Sequence, residues 1–94
     1  MKNGEYIEYY ESGDILSKCN YLGGKIHGEY IRYYEGDVLG SISYYINGKK
    51  HGESIYYNDN GDIWLELYHI YGNDVTEFEW ISYNRNLKLE LILL

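Results

Sequence analysis

Two histidines, His27 and His51, stand a fixed interval apart, each inside a Gly-Lys-x-His-Gly run: Gly24-Lys-Ile-His-Gly28 and Gly48-Lys-Lys-His-Gly52. Imidazoles that meet on stacked turns could share a metal ion, and Gly-Lys invites comparison with a phosphate cradle. A P-loop, however, needs Ser or Thr after its lysine and a helix behind it. Ile26 and Lys50 follow the lysines here, and no helix is expected. Packing or hydrogen bonding in a turn is the expected role of both histidines. The same interval relates Glu5, Glu29, Glu53 and Glu77. Neighbouring carboxylates serve acid–base chemistry when their surroundings drive their pKa values apart, and repetition in like surroundings gives no cause for that. These glutamates are expected to hydrogen-bond a neighbouring turn or to pair with Lys25 and Lys49. Cys19 is the lone cysteine, so no internal disulfide forms, and its strand parity predicts a small buried thiol. His69 falls in a strand without an obvious partner. No Ser/His/Asp or Cys/His constellation is indicated. The chain reads as a non-enzyme with no cofactor and no metal.

The interval is 24 residues, and it organises the chain. It relates Gly4, Gly28 and Gly52, then Ile7, Ile31 and Ile55, then Tyr9, Tyr33 and Tyr57. Copies fall at about 3–23, 24–47 and 48–71, with a degenerate fourth at 72–94 inside a single domain spanning 1–94. In the fourth copy Thr76 replaces the glycine, and Asn73-Asp74 replaces Lys-Ile. The second copy has lost one residue before Gly36 and gained one near Gly40, which predicts a β-bulge at Gly40.

Each copy reads as a β-hairpin: residues 5–10 with 15–22, 29–34 with 38–46, 53–57 with 62–70, and 77–83 with 87–93 around Asn84-Arg-Asn86. Asn47-Gly48 is a strong two-residue hairpin signal. Stacked side by side, the hairpins predict an all-β, elongated, single-layer antiparallel sheet. Side chains alternate between its faces. Ile7/Tyr9, Ile31/Tyr33 and Ile55/Tyr57 share one face, the candidate core. Tyr6, Tyr10, Tyr30, Arg32, Tyr34 and Tyr56 share the other, the candidate partner-binding face, where tyrosine combines contact area with few rotors. The closing run Leu87-Lys-Leu-Glu-Leu-Ile-Leu-Leu94 alternates and then turns wholly apolar. Read as a strand, it makes Leu89, Leu91 and Leu93 a candidate self-association edge. The alternative is that these leucines fold back over the last copy.

Gly-Lys-x-His-Gly-Glu-x-Ile-x-Tyr-Tyr resembles the MORN repeat in its variant form, and the resemblance covers roughly residues 3–83. It implies a row of hairpins in an elongated sheet and a role in protein–protein contact. Some members of the family bind anionic phospholipid, and some variant-repeat proteins act as bacterial antitoxins.

Composition narrows the partners. The chain has 94 residues, a formal charge of −7, 14 Tyr, 2 Trp, 1 Phe and no Pro. Each aromatic buries about 150–250 Å², enough for a few to hold a thin sheet together. Acidity argues against nucleic acid and weakens a membrane-surface reading. It suits a basic protein partner, as an antitoxin-like masking role would require. Anionic-phospholipid binding is the alternative, and a self-associating structural stack a further one. The lone cysteine and a polar start after Met1-Lys2 predict a cytoplasmic protein. The wealth of Ile, Asn, Lys and Tyr suggests an AT-rich source such as a low-GC bacterium or a large DNA virus.

Overall fold

Three turns built alike set the frame. Gly23-Gly24, Asn47-Gly48 and Tyr71-Gly72 all take positive φ at both positions (60° and 84°, 49° and 81°, 45° and 88°). This is the geometry of the tight hairpin turn whose twist matches that of its flanking strands. The backbone N–H of the second turn residue then closes each copy: Gly24 donates to the Lys2 carbonyl at 2.9 Å, Gly48 to Ile26 at 2.8 Å and Gly72 to Lys50 at 2.7 Å. One hydrogen bond thus recurs at the 24-residue interval.

The computed structural model describes the backbone of residues 1–93 and the side chains of residues 1–87. Strands β1 (Gly4–Tyr9), β2 (Ile15–Leu22), β3 (Lys25–Tyr34), β4 (Val38–Ile46), β5 (Lys49–Lys50), β6 (Gly52–Tyr57), β7 (Ile63–Ile70) and β8 (Asn73–Val75) precede helix α1 (Glu77–Leu93). They form one antiparallel sheet in sequence order, with β5 beside β4. The expected all-β sheet of stacked hairpins is therefore present. The chain as a whole measures 52 × 36 × 21 Å. Its radius of gyration, 15.5 Å, exceeds the roughly 12 Å of a compact domain of this length.

A bulge interrupts every hairpin at the same repeat position. Leu16, Gly40 and Trp64 each fall at a register shift, opposite Glu8/Tyr9, Arg32/Tyr33 and Tyr56/Tyr57. The bulge expected at Gly40 is real, yet it belongs to the repeat rather than to an insertion in one copy.

The core does not lie where the alternation placed it. Cross-strand partners share a face, so the register defines two long rows. Ile7, Lys18, Ile31, Ile42, Ile55 and Glu66 run along one face. Glu8, Ser17, Arg32, Ser41, Tyr56 and Leu65 run along the other, beside the row Tyr6, Cys19, Tyr30 and Ser43. The buried side chains Ser17, Cys19, Ser41, Ser43, Ser54 and His69 all belong to the tyrosine face. The isoleucines are only half-buried. Size explains the reversal. Large residues on β1 and β3 alternate with small ones on β2 and β4, and tall rings shelter short neighbours. No second layer covers the isoleucines of β1–β4 among the described residues.

The fourth hairpin is absent, and this corrects the reading of residues 77–93. Gly4 and Gly52 open β1 and β6, and Gly28 holds the same repeat position within β3, at φ of 90°, 107° and 92°. Thr76 stands at that place, and a β-branched residue is a poor occupant of positive φ. Thr76 caps a helix instead. Its Oγ1 accepts from the Glu79 N–H at 3.1 Å, and Glu79 Oε1 accepts from the Thr76 N–H at 3.0 Å, a reciprocal capping box. Asn84-Arg-Asn86 lies within α1 rather than in a turn. Leu89, Leu91 and Leu93 fall on helical backbone rather than on a strand edge, and their side chains lie outside the described residues.

Candidate protein-interaction face

On the tyrosine face, ring pairs recur with the repeat. Tyr6 and Tyr21 meet edge-on with centroids 5.9 Å apart, and Tyr30 and Tyr45 lie tilted at 6.0 Å. Each pair joins residues on diagonal positions of one hairpin. In the third copy these two places hold Ser54 and His69. The His69 Nε2 lies 2.9 Å from Asp74 Oδ1, while its Nδ1 and the Ser54 Oγ are buried without a hydrogen-bond partner among the described residues. The face therefore changes from aromatic to polar along its length.

Tyr10 and Tyr34 fasten the copies together. The Tyr10 hydroxyl donates to the Tyr33 carbonyl at 2.6 Å, and the Tyr34 hydroxyl to the Tyr57 carbonyl at 2.7 Å. Each bond spans 23 residues. Anchored in this way, the two rings line a groove of about 280 Å³ with Arg32, Ser41, Tyr56 and Trp64. Gly40 and Tyr33 complete its lining. Four of the six residues expected on the partner face thus converge on one groove. Tyr6 and Tyr30 stand farther along the same face, at Cys19 and Ser43. Trp64 was not among the expected residues. Its signal was its place one repeat after Gly40, where the bulge re-aims a side chain, and its ring reaches Tyr56 at 6.1 Å.

Cations border this face. Lys2 Nζ lies 3.8 Å from the Tyr6 ring centroid and 4.7 Å from that of Tyr21. Lys50 Nζ donates to the Tyr56 hydroxyl at 3.2 Å. Burial raises the Tyr45 pKa, and the Lys50 charge opposes that rise. Burial likewise raises the Cys19 pKa, so this residue is a packed thiol rather than a ready thiolate.

The repeated histidines act in turns. His27 Nδ1 accepts from the Asn47 N–H at 3.3 Å, and His51 Nδ1 from the Tyr71 N–H at 3.0 Å. Asn3 Oδ1 does the same for Gly23 at 2.7 Å, so one acceptor recurs at positions 3, 27 and 51. Both imidazoles line a second cavity of about 520 Å³ with Tyr44, Ile46, Glu53 and Trp80. Here α1 meets the sheet, with Trp80 5.3 Å and Tyr83 5.7 Å from the His51 ring. No group of three or more His, Cys, Asp or Glu among the described residues converges as metal ligands. Nor do the glutamates pair as expected. Glu5 meets Lys18 at 3.8 Å, while the stems of Lys25 and Lys49 pack beside Gly48 and Gly72. Glu77 leaves the row altogether, because it sits on α1.

The recurring turn acceptor, closing bond and tyrosine bridge define one structural unit. A family model described as the MORN repeat variant matches residues 2–22 and 50–70. Those two segments are variant MORN repeats. The two matched segments are the first and third copies, and the second shares their bonds. MORN repeats form a non-catalytic family associated with binding of proteins or membrane lipids. Comparison with curated proteins and with solved structures returns no match to the chain. No helix among the described residues is long and apolar enough to cross a membrane.

Proposed function

We propose that this MORN-repeat sheet is a non-catalytic protein-binding module that engages its partner through the tyrosine face. The observation that carries this reading is the convergence of Tyr10, Arg32, Tyr34, Tyr56 and Trp64 on one open groove. Tyr, Trp and Arg are the residue types that dominate binding energy at protein interfaces. The rings are positioned before any partner arrives, by hydroxyl-to-backbone bonds and by small neighbours beneath them. Little ordering entropy is then left to oppose association. The partner is a protein met in a reducing compartment. The overall charge of −7 favours long-range encounter with a basic surface, as in an antitoxin-like masking role.

A photo-crosslinking residue at Tyr30, on the tyrosine face, tests this against the same residue at Tyr44, on the opposite face. Capture of one protein from Tyr30 and not from Tyr44 is the expected result. Equal capture from both, or from neither, would remove the tyrosine face as the binding surface.

A further inference from the structure

Arg32 is the central cation of the tyrosine face, and no acidic residue answers it. The chain has 15 Asp and Glu against 8 Lys and Arg. Its ion pair among the described residues is nonetheless Glu5 with Lys18, and Asp74 Oδ1 lies 2.9 Å from His69 Nε2. Arg32 makes neither an ion pair nor a side-chain hydrogen bond there. The nearest carboxylate in its own cross-strand row, Glu8, is two strands away and accepts from the Ser17 hydroxyl at 3.2 Å. At the far end of the face Asp74 is held by His69.

Local charge therefore opposes the charge of the whole molecule. Lys2, Arg32 and Lys50 lie on the tyrosine face with Glu8 and Asp74, whereas Glu5, Glu29, Glu53 and Glu66 lie on the other with Lys18. Around Arg32 the groove is walled by Tyr10, Tyr34, Tyr56 and Trp64. Aromatic walls lower the local dielectric, which strengthens attraction to an unpaired guanidinium. The planar fork of arginine matches a carboxylate with two parallel hydrogen bonds.

We propose that the groove is a carboxylate-binding site, occupied by an Asp or Glu side chain in an acidic segment of the protein partner. The proposal rests on the tyrosine-face reading and deepens it. Net acidity steers the molecule toward basic surfaces at long range, while the contact itself selects an acidic side chain. A groove of about 280 Å³, with a cation among its rings, fits a side chain on a peptide better than the flat surface of a bilayer.

The test is an NMR titration of the intact chain, following the Arg32 Nε–Hε and Trp64 indole N–H signals. The probes are a blocked Gly-Glu repeat peptide, a blocked Gly-Lys repeat peptide and phosphatidylserine vesicles. The Gly-Glu peptide is expected to shift both signals, and Arg32→Gln to weaken its binding about tenfold, as loss of a charge-assisted hydrogen bond does. Arg32→Lys should recover only part of that loss. Arg32 is exposed, so both variants should keep the wild-type circular dichroism. Equal response to the two peptides, no response to the Gly-Glu peptide, or unchanged binding in Arg32→Gln overturns the proposal. Arg32-dependent binding of vesicles in place of peptide overturns it as well. If Tyr30 captures a partner equally from wild type and Arg32→Gln, the protein-binding reading stands and the carboxylate site falls.

Discussion

His51 Nδ1 accepts a hydrogen bond from the backbone N–H of Tyr71 at 3.0 Å, and that bond fixes the imidazole as neutral. Desolvation lowers the His51 pKa below its ordinary 6.5. The unfolded chain therefore takes up its proton first as the pH falls. The stability that His51 contributes is complete above about 6.5 and is lost as the pH drops through that value toward the lowered native one. Urea midpoints should be lower at pH 5.5 than at pH 7.5. His51→Asn keeps an acceptor, as Asn3 does for Gly23, and should flatten the dependence. A variant with the same slope as wild type would assign the acid sensitivity elsewhere.

Tyr10→Phe and Tyr34→Phe each remove one hydroxyl-to-carbonyl bridge between copies. A net hydrogen bond contributes about 0.5–1.5 kcal/mol. Tyr10 is half-buried and Tyr34 exposed, so Tyr10→Phe should cost the more. The two bonds join different copies, and the double variant should lose about the sum in equilibrium denaturation.

Ser54→Ala should leave stability unchanged or raise it by up to about 1 kcal/mol, because removing an unsatisfied buried polar group relieves its desolvation cost. The Ser54 hydroxyl is buried without a partner, and the residue is 1% exposed. Ser17→Ala is the contrast, since it breaks the bond to Glu8 and should destabilise. Thermal melts of the two variants should move in different directions or differ clearly in size.

Gly40→Ala should destabilise by about 1–3 kcal/mol, the usual range for overpacking. An added Cβ would stand 3.1 Å from the Arg32 carbonyl oxygen, a backbone atom with little room to retreat. Retained stability would show that the bulge can open.

Thr76→Ala removes the cap of α1 and should cost about 1 kcal/mol, the typical value for such a change. Far-UV circular dichroism at 222 nm should report fraying at the helix start. The Glu79 pKa is lowered, chiefly by its hydrogen bond from the Thr76 backbone N–H. The helix contribution from Glu79 should therefore be present above its ordinary 4.5 and fade as the pH falls through the lowered value.

What the sequence determined by itself was the repeat and its local chemistry. Residues at a 24-residue interval meet like neighbours, so Asn47-Gly48, Gly28 and Gly52, the paired strands and the hydrogen-bonding role of the histidines all followed from short-range rules. The 24-residue interval runs on through Glu77, so a last hairpin was expected where the Thr76–Glu79 capping box starts a helix. Tertiary structure decided which face buries its side chains, because burial depends on what stands beside a residue on the next strand. Cys19 and Ser43 are hidden by the height of their tyrosine neighbours, and isoleucine facing open solvent on a one-layer sheet gains little from its own hydrophobicity. Only the assembled register could bring Tyr10, Arg32, Tyr56 and Trp64 to one groove and leave that arginine without a counter-charge.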